Sequence, residues 1–188
     1  MSDFTLYNDF DSTPLREWMM ANGTEERVAK KEYFSRVGGT TRKIGIVVRG
    51  SFAMCSTDDK GQRKIFSVAF PREMISNYLA FQTGNPCTYD IQALEHSVIR
   101  TADVSEVDTY LHSLSPDYHY RFMSGIAYAL LRRFISAKCD SCRVRYLKLL
   151  ERVPDLHQKM SMTDISSYLG ISRESFQRMK RAIDNERL

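Results

Sequence analysis

The segment TDISSYLGISRESFQRMKR, residues 163–181, constrains this chain more than any other. Ile165, Tyr168 and Leu169 are apolar at i, i+3 and i+4, which predicts a short helix with Thr163 as its N-cap. Gly170 can take the left-handed turn that other residues avoid. Ile171 then plugs the corner, and Ser172 caps a second helix over 172–184, RESFQRMKRAID. In that helix Phe176, Met179 and Ile183 recur at i, i+3 and i+7 and must face a small core. Helix, tight glycine turn and capped second helix make a helix-turn-helix.

The opposite face of the second helix carries Arg173, Glu174, Gln177, Arg178 and Arg181. A recognition helix enters the major groove of DNA with its N-terminal residues against the base edges. Arg173 and Glu174 are therefore placed to read bases, with Arg178 one turn further along. Arg forks onto guanine O6 and N7, and Glu accepts from the cytosine amino group. Thr163, Ser172, Gln177, Lys180 and Arg181 suit phosphate oxygens. An ordinary charged, solvated helix face is the alternative.

Charge is distributed to match the first reading. Residues 1–131 hold 14 Lys and Arg against 16 Asp and Glu, and residues 132–188 hold 13 against 7. The terminal third thus carries more than the whole net charge of +4. A basic end behind a near-neutral body points to a polyanion partner, because each cation placed on a phosphate releases a counterion. A basic surface without a partner would look the same on charge alone.

Upstream the pattern changes period. With 188 residues, 43 % apolar and 27 % charged, the chain is long enough to bury a core and too apolar for wholesale disorder. From Glu26 to Val107 the runs ERVAKKEYF, KIGIVVRGSFAMCS, RKIFSVAF, YDIQAL and SVIRTADV are separated by Gly38-Gly39, Asp58-Asp59-Lys60-Gly61, Pro71 and Gly84-Asn85-Pro86. These are short strands and turns, with DDKG a hairpin, and they favour a sandwich or jelly roll. PLREWMMA before them reads as a short helix ended by Asn22-Gly23.

A long helix starts at Pro116. Phe122, Ile126, Leu130 and Phe134 repeat at i+4, and Met123, Ala127, Leu131 and Ile135 form a second stripe beside them. So wide an apolar surface exceeds one packing face. Either it also meets a second copy of itself, making a homodimer, or it is buried within its own chain. CRVRYLKLLERVP follows, with Val144, Leu147 and Leu150 on one face and a stop at Pro154. The fold class is α+β: a β jelly roll over 1–115, a long helix over 116–140 and a helical head over 141–188.

This order, and above all DISSYLGISRESFQRMKR, resembles the Crp/Fnr family of bacterial transcription regulators. Ile46-Val47-Val48-Arg49-Gly50 followed by DDKG also resembles the family's cyclic-nucleotide-binding-like domain. The resemblance implies a homodimer joined through the long helix, two heads on a pseudo-palindrome of double-stranded DNA, and RNA polymerase as a further partner. Family members that read G·C pairs use an Arg-Glu pair and an Arg four residues past that Glu, which match Arg173, Glu174 and Arg178. Half-sites with a TGTGA-like core, centred about one or two helical turns apart, are the expectation.

Members that bind cyclic AMP hold it with a Glu and an Arg in a short cassette, where this chain has REMISNYLAFQTGNPCTYDIQAL. The correspondence puts Asn77 at the Glu, Cys87 at the Arg and Thr88 at the small hydroxyl residue. Without the guanidinium a cyclic phosphate lacks its bidentate partner, so tight cyclic AMP binding is not expected unless Arg72 or Arg100 substitutes. The effector is left open: another small molecule, or none. The chain ends eleven residues after Gln177, leaving little room for the wing some relatives add, through a naturally short or a truncated end.

Cys139 and Cys142 form CDSC, which invites a metal, cluster or redox reading. A cluster or structural zinc needs about four ligands, and Cys55 and Cys87 lie far away in sequence. No metal site or cofactor is assigned, and buried small hydrophobes are the plainer reading. His96, His112, His119 and His157 are scattered, with no HExxH, and no P-loop, GxSxG or dinucleotide fingerprint occurs, so an enzyme is not expected. No apolar run approaches the roughly 18–20 residues that cross a bilayer. MSDFTLYNDFDS holds three acids and no basic n-region, so a cytoplasmic protein with reduced cysteines and no membrane partner is expected. The alternative to a DNA reader is a small-ligand sensor whose head binds a protein.

Overall fold

Strands buried on both faces read as unbroken apolar runs, and that is how KIGIVV and FAMC are used here. In the computed structural model, which describes residues 12–186, eight strands form two antiparallel sheets. One has the order β1 (Thr24–Val28), β8 (Ser97–Asp103), β3 (Lys43–Arg49), β6 (Met74–Ile75). The other runs β2 (Tyr33–Ser35), β7 (Asp90–Ala93), β4 (Phe52–Thr57), β5 (Arg63–Ala69). The sequence around the first eleven residues, read above for the absence of an export signal, lies outside the described residues.

Three cores follow from alternation along these strands. Between the sheets, Val47, Ile75 and Ile99 of one meet Phe52, Met54 and Ile91 of the other. Ile44, Ile46 and Ala102 point to the outer face of the first sheet. That face is covered by α1 (Thr13–Asn22), α3 (Val104–Leu114) and the first half of α4 (Pro116–Cys139), through Leu15, Met19, Val107, Leu111 and Phe122. Ala53, Cys55, Ile65 and Val68 point to the outer face of the second sheet. There they meet the helical head: α5 (Cys142–Arg152), α6 (Leu156–Lys159), α7 (Met162–Leu169) and α8 (Arg173–Glu186).

The DDKG turn joins β4 to β5 as its composition predicts: Asp58 Oδ1 accepts the Lys60 and Gln62 amides at 3.0 and 2.8 Å. Pro116 opens α4, and Asp103 and Glu106 form a capping box that starts α3 where the strand pattern ends. Two local readings are corrected. The N-cap of α7 is Ser161, whose Oγ accepts the Asp164 amide at 3.1 Å, and Thr163 sits inside the first turn. The buried face of α5 is Tyr146 and Leu149, while Val144 is exposed and Leu147 and Leu150 only partly covered. Tyr146 wins because its ring packs edge-on against Phe176, centroids 5.1 Å apart, and its hydroxyl shares a 2.8 Å hydrogen bond with His157 Nε2. A short helix, α2 (Tyr78–Thr83), also interrupts the region read as strands and turns.

Candidate nucleic-acid interface

Gly170 ends α7 at φ 72°. Its amide bonds the Ser167 carbonyl at 3.1 Å and the Ile171 amide bonds the Ser166 carbonyl at 3.1 Å, the paired closure of a Schellman turn. Two residues later Ser172 Oγ accepts the Ser175 amide at 3.1 Å and caps α8. Phe176 and Ile183 are buried in the head and Met179 packs beside them, so the apolar stripe fixes the rotation of α8 about its axis.

That rotation leaves Arg173, Glu174, Arg178 and Arg181 exposed on one side. Hydrogen bonds from its own amide and from Ser172, then the charges of Arg173 and Arg178, hold the Glu174 carboxyl below its usual range. Arg178 Nη2 also reaches Ser175 Oγ at 3.3 Å. Ser172 and Thr163 are exposed near the starts of α8 and α7, and Gln177 is half-buried. Lys180 is half-buried and lies 2.8 Å from Asp184, one turn along. Arg143 of α5 pairs with Glu186 and pins the far end of α8.

The four apolar residues of the long helix are divided between two surroundings. Phe122 is buried in the chain's own core and Ile126 packs against it. Leu130 and Phe134, 55 and 61 % exposed, form an uncovered strip with Leu131 and Ile135.

In the cassette Asn77 is fully buried. Its amide nitrogen donates to the Tyr89 carbonyl at 2.5 Å and to Ser35 Oγ at 3.3 Å, and its Oδ1 accepts the Thr88 amide at 3.2 Å. Cys87 is buried, its backbone bonded to Gly38 and Gly39, and burial pushes its thiol up. Thr88 is exposed. Arg100 donates to the carbonyls of Ala21 and Gly23, and Arg72 occupies a tight turn at φ 72°.

All four cysteines are free, and Cys142 Sγ lies 3.5 Å from Arg145 Nη2. The histidines are less scattered than their spacing suggests. His112 and His119 stack with centroids 5.4 Å apart, beside Asp108 at 4.0 Å from His119 Nδ1. Among the described residues no three His, Cys, Asp or Glu side chains gather at metal-binding spacing, and no helix is long and apolar enough to cross a membrane.

Residues 25–113 match the family model of the cyclic nucleotide-binding domain. Beyond the matched stretch come the long helix and the helix-turn-helix head. The whole fold, strands, long helix and head, is shared with solved transcription regulators. FixK2 from Bradyrhizobium japonicum superposes with a TM-score of 0.69 at 16 % identity, over 87 % of this chain and 85 % of that one. The c-di-GMP responsive global regulator CLP of Xanthomonas campestris gives 0.62 at 15 %, over 95 and 94 %. The catabolite activator protein of Thermus thermophilus gives 0.56 at 16 %, over 96 and 87 %. No curated protein sequence matches the chain.

Proposed function

We propose that this chain is a homodimeric, sequence-specific DNA-binding regulator of transcription. The observation that carries the reading is the seating of α8: Phe176 and Ile183 hold it in the core while Arg173, Glu174 and Arg178 stay on the open face. Arg173 and Glu174 read base edges, with Arg178 one turn on. Thr163, Ser172, Gln177, Lys180 and Arg181 position the head on phosphates. The uncovered strip of Leu130, Leu131, Phe134 and Ile135 meets its copy in a second chain. Residues 1–115, 116–140 and 141–188 are then an effector-type body, a dimerisation helix and a DNA-binding head. The protein works in the cytoplasm, with RNA polymerase as the partner that turns binding into a change in transcription.

Cyclic AMP is not its effector. Asn77 and Cys87 occupy the cassette positions that would hold the ribose and phosphate, and both are buried, with Asn77 bonded internally. A site that lacks the guanidinium and has used its amide has little to offer a cyclic phosphate.

Selection of the purified full chain against a random duplex library tests the reading. Two-fold symmetric sites with G/C-bearing half-sites are expected, and Arg173→Ala should relax one position by about 1–3 kcal/mol. No enrichment, together with salt-insensitive capture of a protein, would replace DNA with a protein partner, since phosphate contacts weaken steeply with salt.

A further inference from the structure

β5, the second half of α4, α5 and the end of α7 enclose a cavity of about 690 Å³ where body, long helix and head meet. None of Asn77, Cys87 and Thr88 lines it, so it is separate from the cassette. Its walls hold six Lys and Arg side chains against two carboxylates, Asp140 and Glu151.

Several of these charges already have partners. Lys148 Nζ lies 3.0 Å from Asp140 Oδ2, Lys64 Nζ lies 3.3 Å from Asp58, and Arg152 pairs with Glu73. Ser136 and Lys148 hold the Asp140 carboxyl below its usual range, so that acid is committed. Two guanidiniums of the wall bond neutral groups. Arg133 Nη1 donates to a neutral hydroxyl, Ser67 Oγ, at 2.9 Å. Arg145 Nη2 donates to the Leu169 carbonyl at 2.5 Å, while its Nε is buried with no hydrogen-bond partner among the described residues. A buried guanidinium N–H without an acceptor is costly, and an oxygen of a group held in the adjoining cavity would offset that cost. Ile65, Val68, Leu149 and Leu169 make the apolar part of the wall beside the hydroxyls of Ser67, Ser136 and Ser167, and the volume is that of a small-metabolite site.

We propose that this hinge cavity binds a small phosphate-bearing anion, with Arg145 and Arg133 as its guanidinium partners. Arginine suits this task because its planar fork matches phosphate oxygens. The occupant touches β5, α4, α5 and α7 together and so fixes the head relative to the body. The binding claim stands apart from DNA recognition; only its regulatory consequence rests on that reading.

Calorimetric titration of the full chain with glucose 6-phosphate and with pyrophosphate tests it, with melting by circular dichroism as the check on folding. Saturable binding of at least one probe at one site per chain is expected, weakened at least about tenfold in Arg145→Gln and unchanged in Thr88→Ala. Should Arg145→Gln fail to fold, Arg133→Gln carries the same expectation. No saturable binding of either probe at about 1 mM or below, or full affinity in a folded arginine variant, overturns the site. Anion binding with no DNA enrichment even when the anion is present would sink the DNA reading alone, and DNA enrichment without anion binding would sink the cavity alone.

Discussion

Ser167 Oγ on α7 accepts the Ile65 amide of β5 at 3.0 Å and donates to the Arg63 carbonyl at 3.2 Å. β5 is an outer strand of its sheet, so these are backbone groups that a further strand would otherwise take. A single hydroxyl on the head stands in for that strand. Nearby Arg63 Nη1 lies 2.9 Å from Asp164 Oδ1, and Arg152 donates to the Val68 carbonyl at 3.2 Å while pairing with Glu73. The head is therefore fastened to the sheet along β5 by polar bonds as well as by the apolar core beneath them.

Ser167→Ala removes the acceptor of the Ile65 amide and should destabilise the chain by about 1–3 kcal/mol, the cost of an unsatisfied, partly buried donor. Urea unfolding followed by circular dichroism reads this as a lower midpoint. An unchanged midpoint would mean that water replaces the hydroxyl.

Gly170 and Gly50 both have positive φ, at 72° and 94°, yet their substitution by alanine should differ sharply. Around Gly170 an added Cβ meets nothing within 4 Å, so Gly170→Ala costs about 1–2 kcal/mol of left-handed strain. At Gly50 the Cβ would fall 2.1 Å from Ser97 Oγ and 2.8 Å from Ser97 Cα, so backbone must move as well. Gly170→Ala should purify as a folded protein with a lower melting temperature, and Gly50→Ala should not accumulate in soluble form.

Partial burial, then the charge of Lys180, holds His157 below its ordinary value against the opposing pull of Asp184. The unfolded chain therefore takes up this proton first as pH falls. The stability held by the neutral ring is complete above the unfolded value of about 6.5 and is lost as pH drops from there toward the folded value. Melting temperature against pH should decline more steeply on the acid side in the wild type than in His157→Gln. Parallel curves would show that the ring does not contribute.

Phe134→Glu and Leu130→Glu place charge on a strip that is open in the single chain, so neither should lower its intrinsic stability much. Both should convert a dimer into a monomer in sedimentation velocity, because a carboxylate buried at an apolar interface is strongly penalised. A wild-type chain that sediments as a monomer at micromolar concentration would remove this strip as the dimer contact.

Local chemistry was legible where it acts over a few residues. Gly170, the Ser172 cap and the Phe176, Met179, Ile183 stripe were readable because a turn, a cap and a helix face depend on neighbours within one or two turns. Ser161 was readable too, since Ser161-Met-Thr-Asp164 has the spacing of a capping pattern, but the apolar residues drew the start toward Thr163. Asn77 offered no such signal: as an internal clamp it depends on Ser35, Tyr89 and Thr88, which only the folded cassette brings to it.

The wide stripe of α4 showed the limit most clearly. Sequence established that Phe122, Ile126, Leu130 and Phe134 share one face, since helical period alone decides that. Only the tertiary structure decided that Phe122 lies in the core and Phe134 in the open, because α1 and α3 cover the first turns and not the last. The same holds for the bonds that seat the head. Ser167 and Ile65 are 102 residues apart and Arg152 and Glu73 are 79 apart, and nothing near either member names the other. Sequence settled the long helices and the turns between the main strands but not α2 or the buried face of α5; the packing of distant segments settled what each face meets, because burial is shared between surfaces and belongs to no single stretch of chain.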